Sequence, residues 1–426
     1  MNTPTLESHF LSLTHYLQNF SYLWKPVPFY HLIENQPLSW AENNPDLTDF
    51  LKALSNSDIQ HLTNDSNHLR NALHKFIPGL AAINETIQLL ENPLPVPHTH
   101  FTPDKFSHTH IPGRKWEQTL AFSQSLPEVD SPILDWCSGK GHLAGLLFQR
   151  FQQPVQCLEY DEILCRQGNE LAEKKQQSLE FIHHDVMNPL PDNVNANASF
   201  YTALHACGDL HRQAVETCIH HHAPGIAFSP CCFHKINTDF YRPFSQLAKD
   251  SFSPSNSAPF WLTRKDLHLA VQQTVTAGKR EKIARRREKV YRFALRQWCH
   301  QQSIPEREEN TLCQKKMSKK LFNQSFPEFI ASIFQNETTL LDLNARLHNN
   351  NPQLWPSALR EGVRNYRWNE RAELVRKCFS RPLEAWLILD RALRLEEAGL
   401  NVSVGTFCRY QATPRNFMIM AMQAGK

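Results

Sequence analysis

Short apolar runs alternate with helical segments through the middle of the chain, from Ile133 to Pro230. Between these runs, apolar residues recur at helical spacing, as in HLAGLLFQRF and HRQAVETCIHHH. Strands that alternate with helices form a parallel sheet with helices on both faces, connected by right-handed crossovers. The pattern therefore predicts an α/β fold whose parallel strands are PILDW (132–136), VQCLE (155–159), LEFIHHD (179–185), ASFYTALHA (198–206) and GIAFSP (225–230).

Two glycines follow the first strand, in the sequence ILDWCSGKGHLA (133–144). Gly139, Gly141 and Ala144 match the GxGxxG/A pattern of dinucleotide-binding turns, and Glu159 stands about twenty residues after that turn. However, Asp135 ends the strand, and its carboxylate would repel the pyrophosphate of a nicotinamide dinucleotide. S-adenosylmethionine has no phosphate and carries an α-amino group, which an anion stabilises. The turn therefore favours S-adenosylmethionine.

The chain ends with two further apolar runs, NVSVGTFC (401–408) and RNFMIMAMQ (415–423), separated by a short turn. Strands joined this tightly form an antiparallel hairpin. A parallel sheet that is closed by an antiparallel pair is the seven-stranded, Rossmann-like arrangement of class I methyltransferases. Nicotinamide-binding domains normally end on parallel strands. The hairpin therefore favours the methyltransferase alternative as well.

The predicted cofactor site lies at the ends of the first three strands. Gly139 and Gly141 let the backbone approach the methionine portion without a Cβ clash. Glu159 is expected to accept hydrogen bonds from the ribose hydroxyls, and Asp185 from the adenine amino group. Cys137 stands where class I methyltransferases most often have glycine, and we interpret it as a packing residue. The complete predicted set is Asp135, Cys137, Ser138, Gly139, Gly141, Glu159, Asp185 and Val186.

Three motifs resemble one family of methyltransferase domains: DWCSGKGHL (135–143), LHACGDLH (204–211) and SPCCFHK (229–235). The family has a D-x-C/G-x-GKG turn, an H-x-CG-D/T element and a CC-x-H element. It includes methyltransferase-like proteins once described as ribosomal RNA adenine dimethylase domain proteins, and eukaryotic tRNA ribose methyltransferases of the acceptor stem. The tail, residues 380–421, resembles the ending of the first group, with Thr413 where serine is usual. The resemblance covers residues 113–236 and 380–421.

The resemblance implies that the acceptor binds where strands four and five end. The residues predicted to be catalytic there are His205, Cys207, Asp209, Cys231 and His234. His205 or Asp209 is expected to act as a general base or to orient the acceptor.

The cysteines at these strand ends allow other interpretations. Enzymes that methylate C5 of RNA cytosine also place cysteines after strands four and five, but the HACGD and SPCCFH contexts do not match theirs. A zinc site formed by Cys207, Cys231, Cys232 and His234 is the second alternative. Adjacent cysteines chelate one ion poorly compared with a CxxC pair, so no metal site is predicted. Cys207 and Cys232 would otherwise be small buried apolar residues.

A basic stretch, KREKIARRREKVYRFALR (279–296), has nine basic and two acidic residues. On a helix, one face collects Lys282, Arg285, Lys289, Arg292 and Arg296, while apolar residues anchor another face. Cations that point outward suit a phosphate backbone, so Lys279–Arg296 is the predicted RNA-binding segment. The alternative is an ordinary solvated helix face. The first 110 residues have a net charge of −5 and the remainder +8, which also suggests a polyanionic partner.

The predicted function is a methyltransferase that uses S-adenosylmethionine and acts on RNA, either tRNA or rRNA. The alternatives are a protein or small-molecule methyltransferase, and a non-catalytic RNA-binding protein that retains the fold. No apolar run is long enough to cross a bilayer, so no membrane partner is expected. The eleven cysteines include no CxxC pair, and a cytoplasmic location is predicted from this usage.

Composition and periodicity divide the chain into five parts. An N-terminal all-α domain (1–92) and a linker (93–112) precede the methyltransferase core (113–236). A helical, partly basic insertion (237–378) then separates the core from its last helix and hairpin (379–426). The linker contains two HTH triplets that could bind a metal ion, but it has no cysteine and no metal site is predicted there. The histidines of these triplets are His98, His100, His108 and His110.

Overall fold

The computed structural model of the chain describes residues 5–423 except residues 64, 95–100, 106, 110, 253–259, 273–277 and 335–353. It divides into two compact units, each assembled from separate segments. Unit 1 consists of Met1–Asn19, Ala82–Val275 and Phe379–Lys426, and unit 2 of Phe20–Ala81 and Thr276–Cys378. The five-part division drawn from the sequence stays a prediction. Three of the linker histidines, His98, His100 and His110, lie outside the described residues.

Unit 1 contains a seven-stranded sheet in the order β3-β2-β1-β4-β5-β7-β6. Strands β1 to β5 are parallel, whereas β7 runs antiparallel to both β5 and β6. This arrangement confirms the predicted α/β, Rossmann-like sheet with its C-terminal hairpin. The strands are β1 (Ile133–Trp136), β2 (Val155–Glu159), β3 (Leu179–His183), β4 (Phe200–Cys207), β5 (Gly225–Cys231), β6 (Leu400–Thr406) and β7 (Phe417–Gln423).

Helices cover the sheet, and all helices are numbered in chain order. Because chain order reverses direction between β1 and β4, a crevice opens at the carboxyl ends of these strands, where open α/β sheets bind ligands. In unit 1 the helices are α1 (Leu6–Asn19), α8 (Asn84–Leu90), α9 (Gly113–Gln124), α10 (His142–Phe151), α11 (Glu162–Lys174), α12 (Asp209–His220), α13 (Gln246–Ser251), α14 (Arg264–Leu269) and α19 (Ser380–Glu397).

Apolar burial holds α9 and α10 against the sheet. Phe122 of α9 and Leu147 of α10 are fully buried with Ile133 and Phe200 of the central strands. Removing a side chain of this size from water contributes about 2 kcal/mol to folding. Asp161 caps the N-terminus of α11, and its carboxylate accepts hydrogen bonds from the Ile163 and Leu164 amides.

Unit 2 is helical throughout its described residues. Its helices are α2 (Ser21–Trp24), α3 (Pro28–Ile33), α4 (Ser39–Glu42), α5 (Pro45–Ala53), α6 (Asn56–Thr63), α7 (Ser66–His74), α15 (Lys279–Gln301), α16 (Glu306–Gln314), α17 (Phe326–Phe334) and α18 (Leu354–Lys377), with a short 3-10 turn at Leu321–Asn323. The long helices α15 and α18 pack side by side. Gly362 of α18 permits this closeness, because an added Cβ would lie 2.6 Å from the Val290 carbonyl oxygen.

The basic helix α15 forms as predicted, but its cationic face is not uniformly exposed. Arg292 is buried, donates to the Cys313 carbonyl oxygen at 2.7 Å, and pairs with Glu288 at 3.0 Å. Lys289 forms a 2.8 Å salt bridge with Glu370 of α18. The expectation that Arg292 points outward is therefore wrong, because unit 2 uses its guanidinium to satisfy carbonyl groups in its own interior. Among the described residues, no helix combines the length and apolar composition needed to cross a bilayer.

Candidate active site

The turn after β1 is built from residues with left-handed backbone. Cys137, Gly139 and Gly141 have φ angles of 57°, 61° and 71°. Glycine adopts this left-handed conformation without strain, whereas for cysteine the conformation costs free energy. An added Cβ at Gly141 would lie 2.5 Å from the Phe181 ring, but one at Gly139 would meet nothing within 4 Å. Gly139 therefore borders open space that a ligand can approach.

Asp135, the acid at the centre of the sheet, is only 2% exposed. Its Oδ1 accepts a 2.8 Å hydrogen bond from the Thr202 hydroxyl of β4. Burial raises the pKa of this carboxyl to about 7, while the bond from Thr202 acts in the opposite direction. A nearby cation would restore the carboxylate, as expected for a residue that receives an ammonium group.

Glu159, at the end of β2, ties the turn to its neighbouring strand. Its Oε2 accepts from the Gly139 amide at 2.8 Å and its Oε1 from the Asp161 amide at 3.0 Å. Each carboxylate oxygen retains a second lone pair that can accept from a hydroxyl group. Asp185 follows β3 and accepts from the Met187 amide at 3.0 Å, and Val186 beside it is buried. The predicted acids thus lie at three neighbouring strand ends.

We call the ends of β1–β3 the cofactor end and the ends of β4–β5 the acceptor end, after their predicted roles. Cys137 lies near the acids of the cofactor end and near Cys207 of the acceptor end. Burial, reinforced by the nearby Glu159 and Asp135 carboxylates, raises its thiol pKa to about 12. The thiol is therefore neutral at physiological pH, and neutral thiols are poor nucleophiles. This chemistry is consistent with the interpretation of Cys137 as a packing residue.

The end of β4 is irregular. Its register with β5 shifts between Leu204 and Cys207, and His205 in that bulge has a φ angle of 74°. Gly208 follows with a φ of 61°, and a Cβ there would lie only 1.9 Å from the Lys235 carbonyl oxygen. β-Bulges re-aim side chains next to active sites. The backbone between β4 and α12 therefore holds this part of the site in a conformation that requires glycine.

Three thiols meet where β4 and β5 end. Cys207 and Cys231 occupy paired positions, and their sulfur atoms are 3.4 Å apart. The sulfur atoms of Cys207, Cys231 and Cys232 all lie within 4.8 Å of one another. Hydrogen bonds from the other two thiols, aided by Arg415 and Lys235, lower the pKa of Cys232. All three are free cysteines.

The other two residues predicted to be catalytic lie on either side of this cluster. Asp209 begins α12, and its carboxylate accepts from the Asn237 amide at 2.9 Å, which links α12 to the segment after β5. The His234 ring packs on His268 with 4.9 Å between centroids. Burial lowers the pKa of His234. His234 therefore carries a neutral imidazole at neutral pH.

Two cations near the site were not selected from the sequence. Arg415, in the turn between β6 and β7, lies close enough to affect the pKa values of Cys232 and His205. Lys115 of α9 acts in the same way on Asp135 and His205. The TPRN segment (413–416) of the family resemblance contains Arg415, and this was the available signal. Lys115 belongs to none of the sequence motifs, so no such signal pointed to it.

A buried hydrogen-bond network that includes residues of α19 stabilises the end of β4. Arg391 donates from Nε to His211 Nε2 at 2.7 Å, and the His211 Nδ1 then donates to the Ala206 carbonyl oxygen at 3.1 Å. Burial and the Arg391 charge lower the pKa of His211 well below its usual range. The neighbouring Asp390 accepts from the Tyr241 hydroxyl and from the Ser245 amide. The C-terminal helix thus fixes the backbone of the β4 bulge.

Residues 118–239 match the family model described as a methyltransferase domain. Over these residues the chain is similar to methyltransferase domains. The matched segment includes the β1 turn, the β4 bulge and the three thiols, so the site described above belongs to this domain. The match and the sheet order together show that this part of the chain has the fold of a methyltransferase domain, whose class I members use S-adenosylmethionine as their cofactor. A comparison with curated protein sequences gave no match.

The solved structures that resemble this chain share little sequence with it. An S-adenosylmethionine-dependent methyltransferase from Clostridium acetobutylicum is 13% identical, with a TM-score of 0.22, over 29% of this chain and 53% of its own. Coclaurine N-methyltransferase, bound to N-methylheliamine and SAH, is 12% identical, with a TM-score of 0.25, over 80% of this chain and 95% of its own. These scores are low, and the fold is assigned from the sheet order itself. The part of the first structure that this chain matches is about half of that structure's length.

The residues of the methyltransferase domain fit this cofactor in three respects. Open space faces Gly139, a buried acid lies at the end of β1, and further acids end β2 and β3. The individual cofactor-binding and catalytic roles stay predictions. The structure places both predicted sets along one edge of the sheet, the first at β1–β3 and the second at β4–β5.

Proposed function

We propose that the protein is an S-adenosylmethionine-dependent methyltransferase that acts on RNA, either tRNA or rRNA. We infer the substrate class from the first half of α15, which is exposed and basic. Its cationic side chains on the surface are Arg280, Lys282, Arg285, Arg286 and Arg287. Closely spaced cations on a helix suit the phosphate backbone of a nucleic acid, whatever its sequence.

The contacts of these side chains leave their charges available to a ligand. Arg285 pairs with Glu281, but both side chains are about half exposed, and such pairs contribute little to stability. Arg286 lies over the Tyr366 ring at 5.6 Å, and Arg287 donates to the Phe322 carbonyl oxygen at 3.4 Å. These contacts orient two guanidinium groups without neutralising them. The proposed RNA surface is therefore residues 280–287, which is shorter than the predicted segment.

The reaction requires alignment more than acid–base chemistry. S-adenosylmethionine, when bound, would supply an electrophilic methyl group; the acceptor atom would bond to the methyl carbon as the C–S bond breaks, and S-adenosylhomocysteine would leave. The protein has to orient the acceptor and remove a proton if the acceptor is neutral. We assign His205 in the β4 bulge to proton removal. Asp209 already accepts a backbone hydrogen bond and is assigned to positioning.

At the cofactor end, three carboxylates have distinct roles in the proposal. Asp135 holds the α-amino group of the cofactor, and Glu159 accepts from the ribose hydroxyls. Asp185 accepts from the adenine amino group. These roles rest on the position of each acid at a strand end and on the lone pairs left after the backbone hydrogen bonds described above.

RNA binding by a charge-reversed variant tests the substrate class. The triple change Arg285→Glu/Arg286→Glu/Arg287→Glu should weaken binding of total tRNA at least tenfold. It should also reduce the slope of log K against log salt concentration by the amount that corresponds to about two to three phosphate contacts. The control, Arg166→Glu/Lys174→Glu/Lys249→Glu, makes the same charge change at exposed positions of unit 1. Equal loss in both variants, or loss in neither, would contradict a role for α15.

A transfer assay separates the substrate classes directly. Purified protein with radiolabelled S-adenosylmethionine is offered total RNA, total protein and a small-molecule extract from cells that lack the gene. We expect label in RNA that disappears after ribonuclease treatment. Label that survives ribonuclease but not protease would identify a protein methyltransferase instead. Binding of RNA without any transfer would favour the non-catalytic alternative.

A further inference from the structure

The thiol cluster at the ends of β4 and β5 has the dimensions of a metal site. A tetrahedral zinc ion holds thiolate sulfur atoms at about 2.3 Å, which places the sulfur atoms about 3.7 Å from one another. The Cys207 and Cys231 sulfur atoms are 3.4 Å apart, and the Cys232 sulfur lies within 4.8 Å of both. The three sulfur atoms therefore lie near three corners of such a tetrahedron without any backbone rearrangement.

The backbone explains how two adjacent cysteines can both contribute. Successive side chains of a strand point to opposite faces, which is why adjacent cysteines normally chelate poorly. Cys231 ends β5 in extended conformation, but Cys232 has a φ angle of 49°. This left-handed residue interrupts the alternation and brings the second thiol to the side of the first. A non-glycine residue in this region costs free energy, and such strain is concentrated at functional sites.

Two buried polar atoms near the cluster indicate a missing partner. His234 Nδ1 is buried and has no hydrogen-bond partner among the described residues. His234 follows Cys232 by two residues, within a turn closed by the 2.8 Å bond from the Lys235 amide to the Cys232 carbonyl oxygen. Arg415 Nε is likewise a buried donor without an acceptor in the described part of the chain. A neutral imidazole nitrogen is a zinc ligand, and a guanidinium N–H is a donor to a metal-bound thiolate.

The cluster has cationic side chains nearby, which would stabilise the negative charge of a metal ion bound by three thiolates. Three thiolates and one Zn²⁺ carry a net charge of about −1, and burying that charge is costly unless cations lie nearby. Lys235 lies in the same turn as Cys232, since its amide donates to the Cys232 carbonyl oxygen at 2.8 Å, and Arg415 lies beside β5, where its carbonyl oxygen accepts from the Ser229 hydroxyl at 3.3 Å. Cations at these positions offset the negative charge of a buried set of metal-bound thiolates.

We propose that Cys207, Cys231 and Cys232 bind one structural zinc ion that joins the ends of β4 and β5, with His234 as the fourth ligand once its side chain turns towards the ion. With four protein ligands the coordination is closed, so the ion shapes the acceptor end of the site and takes no part in methyl transfer. The inference does not depend on the nature of the methyl acceptor.

Metal content of the full-length protein tests the site. The protein is purified in reducing buffer without a histidine tag, and zinc is measured by plasma mass spectrometry. We expect about one zinc per chain in the wild type and a loss of at least about tenfold in Cys232→Ser, as for a closed four-ligand site. The matched control is Cys218→Ser, at a buried cysteine of α12 outside the cluster, and it should retain the metal.

Cobalt substitution provides a second measurement that does not need a folded cysteine variant. Wild-type protein is stripped with a chelator and titrated with Co²⁺. We expect the thiolate-to-cobalt charge-transfer band and the intense visible bands of a tetrahedral site, and His234→Ala should shift the visible bands. Metal-free wild-type protein with three reagent-accessible thiols and no cobalt bands would overturn the proposal. The proposal would also be overturned if peptide mapping of protein kept without reductant found a disulfide between two cysteines of the cluster, with the mass of the chain lower by two hydrogen atoms.

Discussion

The ends of β1–β3 and the ends of β4–β5 lie along the same edge of one sheet, but they are held in shape by different means. At the first, the Gly139 amide and the Glu159 carboxylate hold each other, and the two residues lie within one strand–helix–strand segment. At the second, His211 is held by Arg391 of α19, a helix at the far end of the chain. The cofactor end is therefore encoded locally, whereas the acceptor end depends on distant sequence.

The two glycines at these ends illustrate the same difference. Gly139 and Gly208 both have a φ of 61°. A Cβ at Gly139 would enter open space, whereas a Cβ at Gly208 would collide with the Lys235 backbone. We therefore expect glycine to serve ligand binding at the first position, whereas the fold requires it at the second. Substitutions at these positions can separate the two roles.

The largest effect is expected for Gly208→Ala. Its Cβ would lie 1.9 Å from the Lys235 carbonyl oxygen, and neither backbone can move without breaking the Gly208–Cys231 and Asp209–Lys235 hydrogen bonds. We expect the free energy of unfolding to fall by about 4 kcal/mol or more. Urea unfolding of the full chain measures it.

The control for Gly208→Ala is Gly113→Ala, at the first residue of α9, where an added Cβ meets nothing within 4 Å. It should change the unfolding free energy by no more than about 0.5 kcal/mol. A mild effect of Gly208→Ala, similar to that of the control, would mean that the acceptor end is not rigidly held.

Gly139→Ala should have a smaller effect on stability and a selective effect on the cofactor. The left-handed backbone costs an alanine about 1 kcal/mol. The added methyl group stands in the open space beside the turn, so we expect S-adenosylmethionine affinity to fall at least tenfold by calorimetry. Gly399→Ala is the matched control, since it has a φ of 87° and open space around its Cβ.

Gly399 follows α19 and lies outside the β1 turn. Its alanine variant should therefore lose about the same stability and keep its cofactor affinity. Equal affinities in the two alanine variants would show that backbone strain, and not contact with the cofactor, explains the presence of glycine at position 139.

The sequence was sufficient to predict the sheet, the hairpin and the glycine turn, because each produces a periodic or contiguous pattern. It could not predict that Arg292 turns inward, since the carbonyl group of Cys313 that it satisfies is fixed only by tertiary packing. Nor could it predict the approach of the Cys231 and Cys232 thiols. That approach depends on one left-handed residue, and the preference of adjacent side chains for opposite faces of a strand argues against it.

The smallest effect expected is a pH dependence of the cofactor end. Burial raises the Asp135 pKa to about 7 in the folded chain. Because the pKa is about 4 in an unfolded chain, the folded state holds this proton over the interval from about 4 to 7. Asp135 therefore contributes most to stability at acidic pH, and that contribution is lost as the pH rises through 7.

Cofactor binding should show the opposite trend, because the ammonium group selects the carboxylate. We expect S-adenosylmethionine affinity in wild-type protein to rise about fivefold between pH 6 and pH 7, to reach about tenfold at pH 8 and to level off above that pH. Asp135→Asn should bind more weakly and show no such rise. Calorimetric titrations at matched ionic strength measure both proteins. A pH dependence that persists unchanged in Asp135→Asn would assign the titration to another group and leave Asp135 with a purely structural role beside Thr202.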